Sequence, residues 1–317
     1  MDMSSGNGYK SNHNNLISLS REQSLLEERR ICELHELSVV ALDRLFTTYG
    51  IDMDAYEMLS LLSDEQFLTD VAIHSGAMVE NSDRLTAFLD RISESDRIVF
   101  CDLLNEELTL RGFNISESDF LRCDDAPETF IYVKNALADE AYDVFSQEFT
   151  DPRVVYESSI KSAVGAVVDG LKSYCLVPLE ESGGSRLHTV DELIFSCDLK
   201  ISAVTPVFGF DGTADMRYAL LSRAFRISPP TEEDDRYLEI RIPAGEETSL
   251  SELLSASESF GHSLYRVNTS TLGNEDGQRA YYSLVIRDEG REFTRFLTYL
   301  TLFTGSFVAV GVYKNLE

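Results

Sequence analysis

The chain has 317 residues, of which 43% are hydrophobic and 26% charged, ordinary globular usage with length enough for two or three domains. Its 27 Lys and Arg stand against 55 Asp and Glu, a formal net charge of −28. That field repels phosphate backbones and anionic membranes, and the sequence holds no local basic cluster to offset it, so neither nucleic acid nor membrane is expected as a partner.

Five cysteines, with no CxxC pair and no histidine cluster, argue for reduced thiols and against a zinc site. No apolar run reaches the length of a membrane span and no basic-then-apolar leader opens the chain, which points to the cytoplasm.

Residues 1–23 are rich in Ser and Asn and read as a disordered tail. From Ser24 to Gly50 the apolar residues Leu34, Leu37, Ala41 and Leu45 recur at spacings of three and four, one face of an amphipathic helix. Ser24 is placed to cap it and Gly50 to stop it. Further helices are predicted at Asp54 to Leu62, Asp64 to His74, Asp83 to Ile92 and Glu94 to Arg111, completing a helical domain over 24–125. That domain has no Lys, and its 23 acidic residues against 8 Arg carry −15 of the net charge. It offers few of the converging cations that an anionic substrate needs.

After Asp124-Asp125-Ala126-Pro127 the pattern becomes strand (Phe130 to Val133), helix (Ala138 to Phe149), strand (Arg153 to Tyr156), helix (Ser159 to Leu171) and strand (Tyr174 to Leu179). This alternation marks a parallel or mixed α/β layer. In the second of these helices Ile160, Val164, Val167 and Val168 are expected inward. The third strand stops at Pro178, Glu180, Glu181 and the Gly183-Gly184 pair, a polar loop of the kind where α/β folds hold ligands. Thr189 to Cys197 reads as helix, and Ile201 to Phe208 and Arg217 to Ser222 as strands.

Pro229-Pro230 and the acidic run Glu232 to Asp235 mark a linker. Beyond it come strand (Tyr237 to Ile242), helix (Ser249 to Phe260), two strands (Ser263 to Thr271, Ala280 to Ile286), helix (Arg291 to Thr304) and strand (Phe307 to Tyr313). That order, βαββαβ, is the ferredoxin-like module. The expected fold is therefore a multidomain α+β / α/β protein: a helical domain, an α/β domain over 126–228 and a ferredoxin-like domain over 229–317.

Residues Ile131 to Tyr313 resemble a prephenate dehydratase followed by its ACT regulatory domain. VPLEESGGS resembles that family's LPIENSxAGS segment, Val190-Asp191-Glu192-Leu193 its V-x-DLL helix, DMRYALLSR (Asp215 to Arg223) its NxTRF strand, and FVAVGVY (Phe307 to Tyr313) its closing ACT strand. The resemblance implies a place in aromatic amino acid metabolism, a small carboxylate or aromatic amino acid as ligand, no cofactor and no metal. It also implies a homodimer paired through the ACT-like domain. Arg217 and Glu180 become the candidate catalytic pair. Glu181, Ser182, Gly183 and Gly184, with Thr248, Ser249 and Leu250 at the position of the family's GAL loop and Asn268 and Thr269 at that of its ESRP motif, become the candidate ligand-binding residues.

The departures from the family weigh against activity. Met216 stands where the family's catalytic Thr precedes the Arg, and a thioether cannot donate a proton. Glu181 replaces an Asn and sets a second carboxylate beside Glu180; Lys134-Asn135-Ala136-Leu137 replaces a glycine-rich turn. Only Gly209 to Asp215 connects two strands between which the family inserts a whole second lobe.

The expected function is therefore a non-catalytic regulatory or ligand-binding relative. An active dehydratase, with an N-terminal domain resembling chorismate mutase around Arg30 to Leu34, is one alternative, and a structural interaction module is another. Individual residues also read two ways. Glu180 and Glu181 are an acid–base pair or a solvated loop, Ser182-Gly183-Gly184 an anion cradle or a simple turn, and His188 with Asp191 a functional or a capping pair. Arg217, inside an apolar run, must find an anion, and Glu180 is the obvious one.

Overall fold

The computed structural model describes residues 23–29, 32, 35, 94–110, 114–123, 127–208, 214–228, 230, 235–245, 249–274, 277–304 and 307–316. It divides into two units, Met1–Ile115 and Ser116–Glu317. In the first, residues 23–29 are helical, and helix α1 (Glu94–Leu110) buries Phe100, Cys101, Leu104 and Leu108, a stripe repeating at helical spacing. The helices expected at Asp54 to Leu62, Asp64 to His74 and Asp83 to Ile92, most of Ser24 to Gly50, and the tail over residues 1–22 lie outside the described residues. No helix among the described residues is long and apolar enough to cross a membrane.

The second unit is built on one nine-stranded mixed sheet. Its elements are α2 (Glu117–Phe120), β1 (Thr129–Val133), α3 (Ala136–Ser146), β2 (Arg153–Glu157), α4 (Ile160–Val168), β3 (Tyr174–Glu181), α5 (His188–Ser196), β4 (Lys200–Phe208) and β5 (Ala214–Ser222). There follow β6 (Arg236–Pro243), α6 (Leu250–Ser259), β7 (Ser263–Asn274), β8 (Gly277–Arg287), α7 (Thr294–Phe303) and β9 (Val308–Asn315). The strand order is β2-β1-β3-β5-β4-β9-β6-β8-β7. β1 runs parallel to both β2 and β3, and β5 runs antiparallel to β3 and β4, so the first half is the expected mixed α/β layer. β6 to β9 form the ferredoxin-like half, with the first strand of that module between its last and its third.

The apolar runs of the first half become buried strands because helices cover both faces. Phe130, Tyr132, Tyr174, Leu176, Tyr218 and Leu220 face one side, with Ala138, Ala141 and Phe145 of α3. Ile131, Cys175, Val177, Leu179, Ala219 and Leu221 face the other, with α4 and α5. Asn135, in the turn between β1 and α3, accepts the Ala138 N–H with its side chain at 2.9 Å, capping α3. Val168, expected inward, is 39% exposed. The inward stripe of α4 is Ala163, Val164 and Val167 with Ile160 beside it, and Val168 lies past its edge.

β3 does not stop at Leu179. It continues through Pro178 to Glu181 because β5 pairs beside it to the Glu181–Met216 position, while the register with β1 ends at Leu176. A proline is tolerated in a strand that has a neighbour on one side only, and the register shifts between Pro178 and Glu180 to admit it.

The two halves of the sheet are joined by β4 and β9, which run parallel with Ile201 opposite Gly311. The core is continuous across the joint, since Ile201 and Val204 of β4 pack in the same cluster as Tyr237, Val285, Val310 and Tyr313. Gly311 is required there. A Cβ at that position would lie 2.5 Å from the Ile201 carbonyl oxygen, a backbone atom that cannot swing aside. Gly311→Ala is therefore expected to destabilise the second unit by about 1–3 kcal/mol, the usual cost of overpacking. Urea unfolding followed by circular dichroism measures it, and an unchanged midpoint would mean that the joint is looser than the Ile201–Gly311 approach implies.

Candidate functional site

Glu180, near the end of β3, is fully buried. Its carboxylate accepts from Arg217 Nη1 of β5 at 2.9 Å and from both terminal nitrogens of Arg266 of β7, Nη1 at 3.0 Å. Arg186, in the turn after β3, lies 3.7 Å away. Arg186 itself makes a two-pronged pair with Glu239 of β6 and reaches Asp191 of α5 at 3.3 Å. Arg241 of β6 donates to the same Asp191 oxygen. Ser283 Oγ and Tyr313 OH complete the shell of Glu239, at 3.1 and 3.2 Å. Four guanidinium groups and three carboxylates from both halves of the sheet thus form one buried cluster.

Burial alone would raise a carboxyl group, but the charges outweigh it here. For Glu180 the hydrogen bonds from Arg266 and the charges of Arg217, Arg266 and Arg186 hold the group below its ordinary value. For Glu239 the charge and hydrogen bonds of Arg186, helped by Arg241 and Ser283, push it from 4.5 down to about 2. Burial lowers Arg241, since Asp191 and Glu239 do not fully offset its desolvation. At neutral pH three anions and four cations leave one positive charge in the cluster.

The pair Glu180–Arg217 is therefore real, and it is internal. Arg217 gives one hydrogen bond from each terminal nitrogen, from Nη1 to Glu180 and from Nη2 to Asn315 Oδ1 at 3.0 Å. Glu181 points the other way and is exposed, as the strand pleat requires, so the two carboxylates lie on opposite faces of β3 rather than in a loop. Ser182-Gly183-Gly184 is a turn: Gly184 N–H donates to Glu181 O at 2.8 Å and Glu181 N–H to Ser185 O at 3.0 Å. Gly184 holds φ +76, a left-handed conformation that suits glycine. Helix α5 starts only at His188, so these amides are not the head of a helix. His188 and Asp191 do not meet; His188 Nε2 lies 3.6 Å from Glu192, and Asp191 turns inward to the two arginines.

Beside the cluster is an open cleft of about 570 Å3. Gly183 and Gly184 form one rim with Ser185 and Arg186, and Asn268 and Thr269 of β7 form another. Two segments singled out separately in the sequence thus come together. Ser182 and Glu181 stay outside the cleft lining, as do Ser249 and Leu250, where Ser249 Oγ bonds Ser251 Oγ at 2.7 Å at the start of α6. Thr248 lies outside the described residues. Ser270 Oγ and Arg186 Nε, both on residues of the cleft wall, are buried and unpaired among the described residues.

Arg186, Glu239, Arg241 and Arg266 were not among the residues singled out in the sequence. The signal that picks out Arg217, a charge inside an apolar strand, was present for three of them. Glu239 and Arg241 interrupt YLEIRI, and Arg266 interrupts LYRVN. Arg186, in a glycine-rich turn, carries no such mark.

The cluster sets an acid limit on stability. Glu239 has its folded value pushed below its unfolded value of 4.5, so its contribution is complete above about pH 4.5 and is lost as pH falls through about 2. Glu239→Gln is expected to cost about 3–5 kcal/mol at neutral pH, because it leaves Arg186 buried without its main partner. It should also flatten the fall in stability below pH 4.5. Urea unfolding of both proteins between pH 7 and pH 3 tests this, and parallel curves would show that Glu239 is not the titrating group.

Among solved structures, the chain is similar to a prephenate dehydratase from Streptococcus mutans at 16% identity and a TM-score of 0.47, over 60% of this chain and 100% of that one. It is similar to GqqA, described as a novel type of quorum quenching acylase, at 19% identity and a TM-score of 0.44, over 60% and 96%. A prephenate dehydratase from Arthrobacter aurescens, in complex with L-Phe, aligns at 14% identity and a TM-score of 0.42, over 58% and 89%. No family model and no curated protein sequence matches the chain.

Proposed function

We propose that this chain is a ligand-binding, non-catalytic relative of the prephenate dehydratases, and that its ligand is a small carboxylate of the aromatic amino acid class held in the cleft between the Gly183-Gly184 turn and β7. The observation that carries the reading is the fate of Arg217 and Glu180. A dehydratase needs an acidic or basic group facing substrate. Here the two are sealed against each other, with Arg266 over Glu180 and Asn315 on Arg217, and Met216 supplies no proton beside them. The cleft retains what binding requires. Asn268, Thr269, Ser270 and Ser283 offer amide and hydroxyl groups, and Arg186 and Asp191 stand in the same wall.

The same reading makes the protein a homodimer joined through its ferredoxin-like half, which ends in β7, a 12-residue strand paired on one side only among the described residues.

Thermal unfolding in the presence of prephenate, chorismate, phenylpyruvate, phenylalanine and tyrosine tests the proposal. A ligand at about 100 times its dissociation constant adds about 2.7 kcal/mol to the native state and raises the midpoint by several degrees. At least one of the five is expected to do so, and Asn268→Ala with Thr269→Ala is expected to abolish the shift without lowering the ligand-free midpoint. Conversion of prephenate to phenylpyruvate by the purified protein, lost in Arg217→Ala, would overturn the non-catalytic assignment.

A further inference from the structure

The opposite end of β3 holds a second, chemically different site. Where β1 and β3 begin and β5 ends, the loop after α4 closes a pocket of about 200 Å3. Its walls carry Lys172, Arg223 and Arg226, the hydroxyls of Thr129, Ser173 and Ser222, and, among the described residues, no carboxylate. The sequence has no run of basic residues; the fold makes a cluster by bringing positions 172, 223 and 226 together. In a chain of net charge −28, three cations around one small cavity repel one another unless an anion joins them.

The three cations are not equivalent. Arg226 is fixed in the wall, its guanidinium 4.1 Å over the Phe149 ring and its Nη2 donating to Glu148 O at 3.0 Å, with the Glu128 charge acting on it. Lys172 and Arg223 have no ion pair among the described residues. Arg223 is nonetheless placed, since its guanidinium packs against Gly170, 3.2 Å from where a Cβ would stand at that φ +73 position. Thr129 Oγ1 and Ser173 Oγ are 3.1 Å apart, and Ser173 N–H also donates to Thr129 Oγ1 at 3.0 Å. One hydroxyl proton closes that pair, so the other is left to donate into the pocket.

We infer that this pocket binds a phosphate-class dianion, with Arg223 and Lys172 supplying the charge and the Thr129–Ser173 pair a neutral donor. A guanidinium fork beside an ammonium and a hydroxyl is the donor set that tetrahedral oxyanions take. The volume is below the about 300–1,000 Å3 of pockets for drug-sized ligands, which fits free phosphate or a short phosphomonoester and excludes a nucleotide. Buried Phe225 gives the short organic part of an ester an apolar wall. The site does not depend on the cleft at the other end of β3. The eight residues of that strand set the two roughly 25 Å apart.

Titration of the full chain by 31P NMR and calorimetry with inorganic phosphate and with phosphoglycolate, at ionic strength held constant with chloride, tests the inference. Saturable binding of either is expected at millimolar concentration or below. Binding of both assigns the site to the phosphoryl group alone, and binding of phosphoglycolate alone assigns it to an organic ester. Arg223→Gln and Lys172→Gln are each expected to weaken binding at least tenfold while leaving the ligand-free unfolding midpoint unchanged, because neither side chain has an ion pair to lose. Arg223→Lys, which keeps the charge and loses the fork, is expected to fall between wild type and Arg223→Gln. Unsaturable binding of both ligands, or wild-type affinity in the folded glutamine variants, would overturn it.

Discussion

The second unit depends on one constraint: two half-sheets meet along β4 and β9, and the polar residues beneath the joint must satisfy each other. The strands contribute apolar side chains on the face shared by α4 and α5, and that continuous core drives the halves together. Closure also removes Glu180, Asp191 and Glu239 from water, a desolvation that would cost several kcal/mol per ion if unmatched. Arg186, Arg217, Arg241 and Arg266 match it, each from a different stretch of chain. Arg186 is the hinge of the arrangement, because it alone touches all three carboxylates.

Buried ion clusters are poor sources of net stability, since well-packed apolar residues of the same volume do as well or better. Their effect here is on specificity. A slip of β6 by one residue against β8 or β9 would carry Glu239 away from Arg186 and leave both buried without partners. The apolar core tolerates small displacements; the paired charges do not. A second node works in the same way at the start of β6, where buried Arg236 holds Asp288 through Nε at 2.8 Å and Glu117 of α2 through both terminal nitrogens, and so ties the chain before β1 to the segment that enters α7.

What could be read from the sequence follows from how local each determinant is. The strand and helix order from β1 to β9 was legible because apolar runs such as YCLV and FVAVGVY sit between turn residues, and the ferredoxin-like half follows from its order alone, whereas the four-residue α2 carried no such signal. The β4–β9 pairing was not, because it joins Ile201 to Gly311 across more than a hundred positions and no local pattern marks it. Pro178 and Glu180 misled for the same reason. Both are strand breakers by type, and distant pairing makes them strand residues, Pro178 against β5 and Glu180 between β5 and Arg186. The rims of the cleft were found in part, as Gly183, Gly184, Asn268 and Thr269, whereas Arg186, which forms its charged wall, stood in a loop with nothing to distinguish it.

The chemistry of Arg217 turns on a competition for donors. A guanidinium at a strand end can hold a substrate or hold the fold, and the hydrogen bonds it gives to Glu180 and Asn315 are not available to a ligand. Opening the site would require Glu180 to leave Arg217 and Arg266 together, exposing one buried carboxylate and two cations at once. At the other end of β3 the balance is reversed: Lys172 and Arg223 have no ion pair among the described residues, and the Arg223 guanidinium lies against Gly170 beside the cavity. The two ends of β3 thus differ in how their charges are met, by carboxylate pairs at Glu180 and by a wall of cations and hydroxyls at Lys172 and Arg223.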